Sequence, residues 1–217
     1  MNGLVRDYCR HYERVGIFCI PRYLTSVSFM YRDLHNLQIE MSKNHRDKQW
    51  FRLFNPFTFG AQHYDKIKIL YDDVELGIPA ERQFYAQGDV PHEKKWTNFY
   101  VERDKNRESE FFTRITPPRA YQFIHDDAVY GSRVLPAKLN ATLPAVWAKK
   151  DLTDNIFDYC STLEEAQEIH VVDSVFMFLV DCLPYDSSHQ KLFVHRYARS
   201  NPPWRLPILK KNWTILE

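Results

Sequence analysis

The stretch EIHVVDSVFMFLVDCL, residues 168–183, decides how the rest of the chain is read. Residues 168–172 form a short run of the length and composition of one buried strand, and residues 174–183 are apolar enough and long enough for a helix. A strand, then Asp173-Ser174, then a helix is the order of one βα unit in a parallel α/β layer. Ligands of such layers sit outside the carboxyl ends of the strands, and a helix start carrying a serine suits a phosphate or diphosphate. The same two residues also suit plain helix capping, which any strand-to-helix turn uses.

Working outward, two more expected strands end in polar clusters. Residues 121–124 run into His125-Asp126-Asp127, and residues 192–195 run into His195-Arg196. In a parallel sheet the three clusters share one rim. Within YQFIHDDAVYGSR, residues 121–133, the two aspartates followed by Gly131 can be a turn that stops a strand. They can also hold Mg²⁺ or Mn²⁺ against a nucleotide diphosphate, or the loop can frame a pocket from which Arg133 reaches the phosphates with two parallel hydrogen bonds. No third carboxylate stands at a telling spacing, and histidines such as His63, His92 and His189 are scattered. A G-x-S-x-G motif is absent, and the six glycines build no phosphate loop, which speaks against a kinase, a P-loop enzyme or an ordinary dinucleotide-binding dehydrogenase.

Composition sets the outer bounds. A chain of 217 residues with 44% hydrophobic and 15% aromatic content can bury one sizeable core or two smaller ones. Its 29 basic against 28 acidic residues leave a net charge of +1, so nothing draws it as a whole to nucleic acid or an acidic membrane. Phosphate recognition then has to be local. Cys9, Cys19, Cys160 and Cys182 lie far apart, which suits buried free thiols in a reducing compartment. No apolar run approaches the roughly 18 residues of a membrane span, and the charged start MNGLVRDYCRHYERV lacks the apolar centre of a signal peptide. A cytoplasmic protein is expected.

The spacing predicts a helix over 2–13, then a strand at VGIFCI, 15–20, covered on both faces. A helix over about 24–34, a strand at 37–39 and a third strand at KIKIL, 66–70, follow. Gly88, Pro91 and the charged run 102–108 place a domain boundary within 80–107, with a helix over 104–112. In the second half, strands are expected at 121–124, 145–147, 168–172, 192–195 and 213–216, with helices at 174–183 and at 153–166, the latter opened by Thr153 as N-cap. The fold class is α/β, in two halves of about 100 residues with a crevice between them. Opening on a helix is unusual for a doubly wound domain, which normally opens on a strand.

Several segments carry a resemblance. NGLVRDYCRHYERVGIFC with SFMYRDL, QFYAQGDVPHEKKWTNFYVERD, FIHDDAVYGSR, NIFDYCSTLEEAQEIHVVDSVFMFLVDCL and KLFVHRYAR resemble, in that order, a family of GT-B type glycosyltransferases of bacteria and large DNA viruses. More distantly, HVVDSVFMFLVDCL is similar to the strand, Asp-Ser/Thr, helix segment of heptosyltransferase-like and fucosyltransferase-like enzymes. The resemblance implies two Rossmann-like domains, an acceptor-side domain at 1–100 and a nucleotide-sugar domain at 101–217, with no obligatory metal. It implies that Arg133 and Ser174 contact the diphosphate, with Asp173 and His125 shaping the donor pocket. His195 and Arg196, on the same rim, join the diphosphate set. Two departures stand out: the strand and Gly-Asp-His-like loop that the family tends to place before NGLVR are not in this sequence, so the expectation is a first domain without its first strand or a chain that begins inside a domain, and Ala-Val-Tyr stands where the family more often has Pro-Ser-Arg.

Glycosyl transfer needs stabilisation of the leaving diphosphate, which the helix start at Ser174 and the Arg133 cation could give without metal. It also needs a base if the anomeric centre is inverted, and Asp126, Asp127 and His125 are placed for that role. The expected partners are a nucleotide sugar and a glycan or other hydroxyl acceptor. Two other classes fit the residues: a metal-dependent transferase or hydrolase built on Asp126 and Asp127, or a non-catalytic module binding a glycan or partner through Trp96, Phe99, Tyr100 and Trp204. Core packing is the plain alternative for those aromatics.

Overall fold

The first turn of the chain already shows what the packing demands of the sequence. A Cβ added at Gly3 would lie 1.9 Å from the carbonyl oxygen of Lys94, so helix α1 (Asn2–His11) can approach α4 (Lys94–Thr97) this closely only with glycine there. The structure is a computed structural model that describes residues 1–41, 64–127, 131–199 and 205–217. It divides into two compact units, Met1–Phe99 and Tyr100–Glu217. Trp204 lies outside the described residues.

In the first unit α1 buries Leu4 and Val5, and Leu4 meets Tyr85 and Val90, with Tyr8 and Leu70 packed against them. Arg6, on the same helix, is buried and grips Asp33 through two hydrogen bonds of 2.8 Å, and donates to the Met30 carbonyl at 3.1 Å. Strands β1 (Val15–Cys19) and β2 (Leu37–Met41) pair in parallel, Val15 opposite Leu37 and Cys19 opposite Met41. Between them Pro21–Tyr23 makes a 3-10 turn, with proline where its fixed φ suits a helix start, and runs into α2 (Leu24–Met30). The strand expected to be covered on both faces is not: Val15 and Cys19 are buried, but Phe18 keeps 45% of its surface.

KIKIL does not form a strand. Ile67 and Ile69 are half exposed, whereas Lys68 turns back to the Gln87 carbonyl and to Asp89. Just beyond it, at Tyr71 and Asp73, the backbone is bonded by glutamine side chains of α3 (Ala80–Gln87). Gln87 both donates to and accepts from the backbone of Tyr71 at 2.9 Å, and Gln83 does the same with Asp73. An amide side chain offers the same donor and acceptor pair as a peptide group, so the segment is tied down without a ladder.

The second unit opens with α5 (Lys105–Ile115), whose first turn is capped by the Asp104 carboxylate accepting from the Arg107 amide at 3.0 Å. Five parallel strands follow: β3 (Gln122–His125), β4 (Ala145–Trp147), β5 (Glu168–Val171), β6 (Lys191–His195) and β7 (Trp213–Leu216), in the spatial order β4-β3-β5-β6-β7. Helix α6 (Cys160–Glu165) precedes β5, and α7 (Val175–Cys182) joins β5 to β6. On one face Phe123 meets Tyr159 and Phe176, with Phe111 behind Tyr159 at 4.6 Å. On the other, Ile124 and Val172 pack with Val134, beside Leu139, Trp147 and Ala198. Phe123, Ile124, Ile169 and Val171 have no exposed surface, as strands covered on both faces require.

One helix start differs from expectation. Thr153 does not cap it. Asn155 does, its side chain accepting from the Phe157 amide at 3.2 Å, and the chain makes a 3-10 turn over Ile156–Tyr159 before α6 begins. The Thr153 hydroxyl is used inside the loop, on the Asn155 amide and on Asp158. No helix among the described residues is long and apolar enough to cross a membrane, and none of the four cysteines is in a disulfide, Cys19 and Cys160 being buried.

Candidate functional site

The strand order reverses direction next to β3: the chain steps to β4 on one side, then crosses to β5 on the other and continues outward. That is the topological switch point, where the loops leaving two adjacent strands part and open a crevice. Here those loops carry His125-Asp126-Asp127 after β3 and Asp173-Ser174 after β5.

The two loops touch through side chains. His125 Nδ1 lies 3.1 Å from Ser174 Oγ, and the ring rests on Phe176, centroids 4.5 Å apart. Burial, with the cations of Arg199 and Lys150 adding to it, pushes His125 down to about 4, so the imidazole is neutral at pH 7. Ser174 occupies the N-cap of α7 in extended backbone (φ −150, ψ 177), yet makes no cap bond with its hydroxyl. Its hydroxyl faces His125, while its carbonyl accepts from the amide of Met177 at 3.1 Å. The first-turn amides of α7 point out of the helix at the crevice, with the positive end of the helix dipole.

Asp173 is buried, and its carboxylate pairs with Arg196 at 2.5 Å. Arg199 donates to the Asp173 carbonyl at 3.0 Å and stands 3.7 Å from the carboxylate of Asp127. Arg196–Ala198 is a 3-10 turn at the end of β6. Three residues complete one turn of such a helix, so positions 196 and 199 fall on the same side. Arg199 was outside the residues singled out from the sequence; the signal was its spacing of three from Arg196, which becomes telling only once the turn is known to be 3-10.

Asp127 has a structural task as well. Its amide donates to the Ser132 carbonyl at 2.8 Å and its carbonyl accepts from the Ser132 amide at 3.1 Å, an isolated antiparallel bridge just past the end of β3, and Gly131 has φ 77. Asp126 is half buried. Arg133, expected on the diphosphate, is exposed between the buried Ser132 and Val134.

His195 is a correction of a different kind. It has 0% exposed surface, and both ring nitrogens are engaged within the sheet face: Nε2 lies 2.9 Å from His170 Nδ1, and Nδ1 lies 2.8 Å from the Tyr197 hydroxyl. It cannot reach a diphosphate on the rim. Among the described residues no group of three or more His, Cys, Asp or Glu side chains is placed to hold a metal ion. Of the aromatics weighed as a binding surface, Trp96 and Phe99 are half buried and Tyr100 is 52% exposed.

The rim thus gathers His125, Asp126, Asp127, Asp173, Ser174, Arg196 and Arg199. No family model, no curated protein and no solved structure matches the chain.

Proposed function

We propose that the second unit holds the diphosphate of a nucleotide sugar at the switch point, and that the chain is a glycosyltransferase acting in the cytoplasm without an obligatory metal. The observation that carries the reading is the meeting of three polar loops at the switch point, where the start of α7 stands beside a neutral imidazole and two arginines held by Asp173. A leaving diphosphate gains negative charge as the glycosidic bond breaks. Backbone N–H groups of a helix start and fixed guanidinium groups stabilise that charge without reorganising at the moment of reaction.

In this reading the first-turn amides of α7 and the Ser174 hydroxyl donate to the phosphate oxygens, and Arg196 and Arg199 supply positive charge. The carboxylate of Asp173 sets the position of Arg196 rather than touching the ligand. His125 is neutral at physiological pH and can accept a proton, the property needed of a base for the acceptor hydroxyl. Asp127 is a weaker candidate for that role, because its backbone is paired with Ser132 and its carboxylate faces Arg199.

The test is a thermal-shift panel of nucleoside diphosphates and nucleotide sugars, run with EDTA and with added Mn²⁺. The reading expects stabilisation by at least one diphosphate-containing ligand, unchanged by EDTA, and lost in Arg196→Ala. No stabilisation by any of them would sink it, and stabilisation only with Mn²⁺ would transfer the site to the metal-dependent alternative on Asp126 and Asp127.

A further inference from the structure

Off the rim, on the sheet face that carries Ile124 and Val172, runs a line of polar groups that diphosphate binding does not use. Glu168, His170 and His195 are all buried, at 5%, 1% and 0% exposure. Glu168 Oε2 lies 3.3 Å from His170 Nε2, His170 Nδ1 lies 2.9 Å from His195 Nε2, and His195 Nδ1 lies 2.8 Å from the Tyr197 hydroxyl. The Tyr197 oxygen also accepts from the backbone amide of Leu135 at 3.0 Å. Strand alternation explains the line: residues 168 and 170 share a face of β5, and the register sets His170 beside Phe193, two residues before His195.

Donor and acceptor accounting gives the line one direction. Burial pushes the Glu168 carboxyl up, but hydrogen bonds from Asn140, Lys191 and His170 outweigh it and hold the group below its ordinary value, as a carboxylate. A carboxylate only accepts, so the His170 proton is on Nε2 and its Nδ1 is bare. His195 must then donate from Nε2, which leaves its own Nδ1 to accept from Tyr197. Each neutral imidazole is satisfied in this arrangement and in no other with an ionised glutamate. Lys191 at the glutamate end and Lys138 toward His195 are the cations that bear on the line, and the Phe193 ring is stacked on His170 at 4.6 Å.

Tyr197 lies inside the 3-10 turn that carries Arg196 and leads to Arg199. We infer that Glu168, His170, His195 and Tyr197 form one hydrogen-bonded unit that positions the two rim arginines, and that the unit holds only while no more than one of its imidazoles carries an extra proton. One added proton is absorbed by reversing the donors along the line, with Tyr197 turning from donor to acceptor. A second sets N–H against N–H, and cation against cation, across the 2.9 Å gap between the rings. The consequence for ligand binding rests on the diphosphate reading above; the positioning itself does not.

Amide exchange of the ligand-free protein, followed residue by residue by NMR, tests the positioning. The amides of Leu135 and Arg199 report on the turn, and those of Ile169 and Val194 on the sheet. In the wild type the turn amides stay protected from pH 7.5 to 5.5, then lose protection toward pH 4 while the sheet amides keep theirs. Tyr197→Phe is expected to lower protection at Leu135 and Arg199 at least tenfold already at neutral pH. His195→Gln can accept from Tyr197 and donate to His170 but cannot titrate, so it keeps neutral-pH protection and loses the acid step; this variant decides the matter if Tyr197→Phe fails to fold. Unchanged exchange in Tyr197→Phe, or the wild-type acid step persisting in His195→Gln, would overturn the inference. Inorganic pyrophosphate, titrated at pH 7, should bind Tyr197→Phe at least tenfold more weakly than wild type. Equal affinity counts against the positioning, whereas no binding by the wild type counts against the diphosphate reading and leaves the exchange experiment to judge the relay.

Discussion

His125 Nδ1 and Ser174 Oγ stand 3.1 Å apart, one at the end of β3 and the other at the start of α7. Two residues 49 positions apart in sequence thus share a bond at the point where the sheet changes direction. A serine at an N-cap normally bonds the amide two or three residues on, and replacing it with alanine costs about 1 kcal/mol.

Because Ser174 makes no cap bond, Ser174→Ala should cost what its bond to the buried His125 ring contributes, about 1 kcal/mol. In the same variant the thermal stabilisation by nucleoside diphosphate should be at least halved. Calorimetry with and without ligand reads both. A loss of stability without a change in the ligand-induced shift would mean that Ser174 is only a structural residue.

Acid should destabilise the second unit through its buried imidazoles. His125 and His195 are both pushed down to about 4, first by burial, against about 6.5 in an unfolded chain. The unfolded state therefore binds more protons between those values. The stabilisation is fully present above about pH 6.5 and is lost as pH falls toward 4. In that window each such histidine contributes a slope of up to about 1.4 kcal/mol per pH unit. Urea unfolding at a series of pH values checks this, and His125→Gln should flatten the curve.

Arg6 offers the matching test in the first unit. It is buried with its guanidinium on Asp33, which it holds below the usual carboxylate range. Asp33→Ala strips a buried cation of its carboxylate and should cost about 3 kcal/mol in urea unfolding. Arg6→Met, which removes the charge and keeps the bulk, should cost less. The reverse order would show that the pair is held mainly by packing.

Gly3→Ala is expected to destabilise by about 1–3 kcal/mol, since a methyl group would meet the Lys94 backbone rather than a movable side chain. Thermal unfolding measures it. A neutral outcome would mean that α1 and α4 can separate freely.

Much of the second unit was legible in the sequence because its strands are covered on both faces. Residues 121–124 and 168–172 read as buried strands from Tyr121, Phe123, Ile124, Ile169, Val171 and Val172, although Gln122, Glu168 and His170, buried as well, interrupt the apolar pattern. KIKIL misled for the converse reason. Its alternation is that of a strand, but Lys68 turns in to the Gln87 carbonyl and Asp89 while Ile67 and Ile69 face out. Thr153 misled because a threonine before an apolar run caps equally well on paper as Asn155 two residues later. At the rim, His125, Asp173, Ser174 and Arg196 could be placed together from strand ends alone. His195 could not, because one residue of strand parity separates a side chain on the rim from one sealed against the sheet.

The 3-10 turn after β6 places a strict demand on spacing. At three residues per turn, inserting one residue between Arg196 and Arg199 would swing the second guanidinium by about 120°. Net charge, composition and both arginines would survive the insertion, yet Asp173 would lose one of the two that now converge on it. What the rim encodes is therefore a phase, and a lineage could silence it by slipping a single codon while leaving every residue in place.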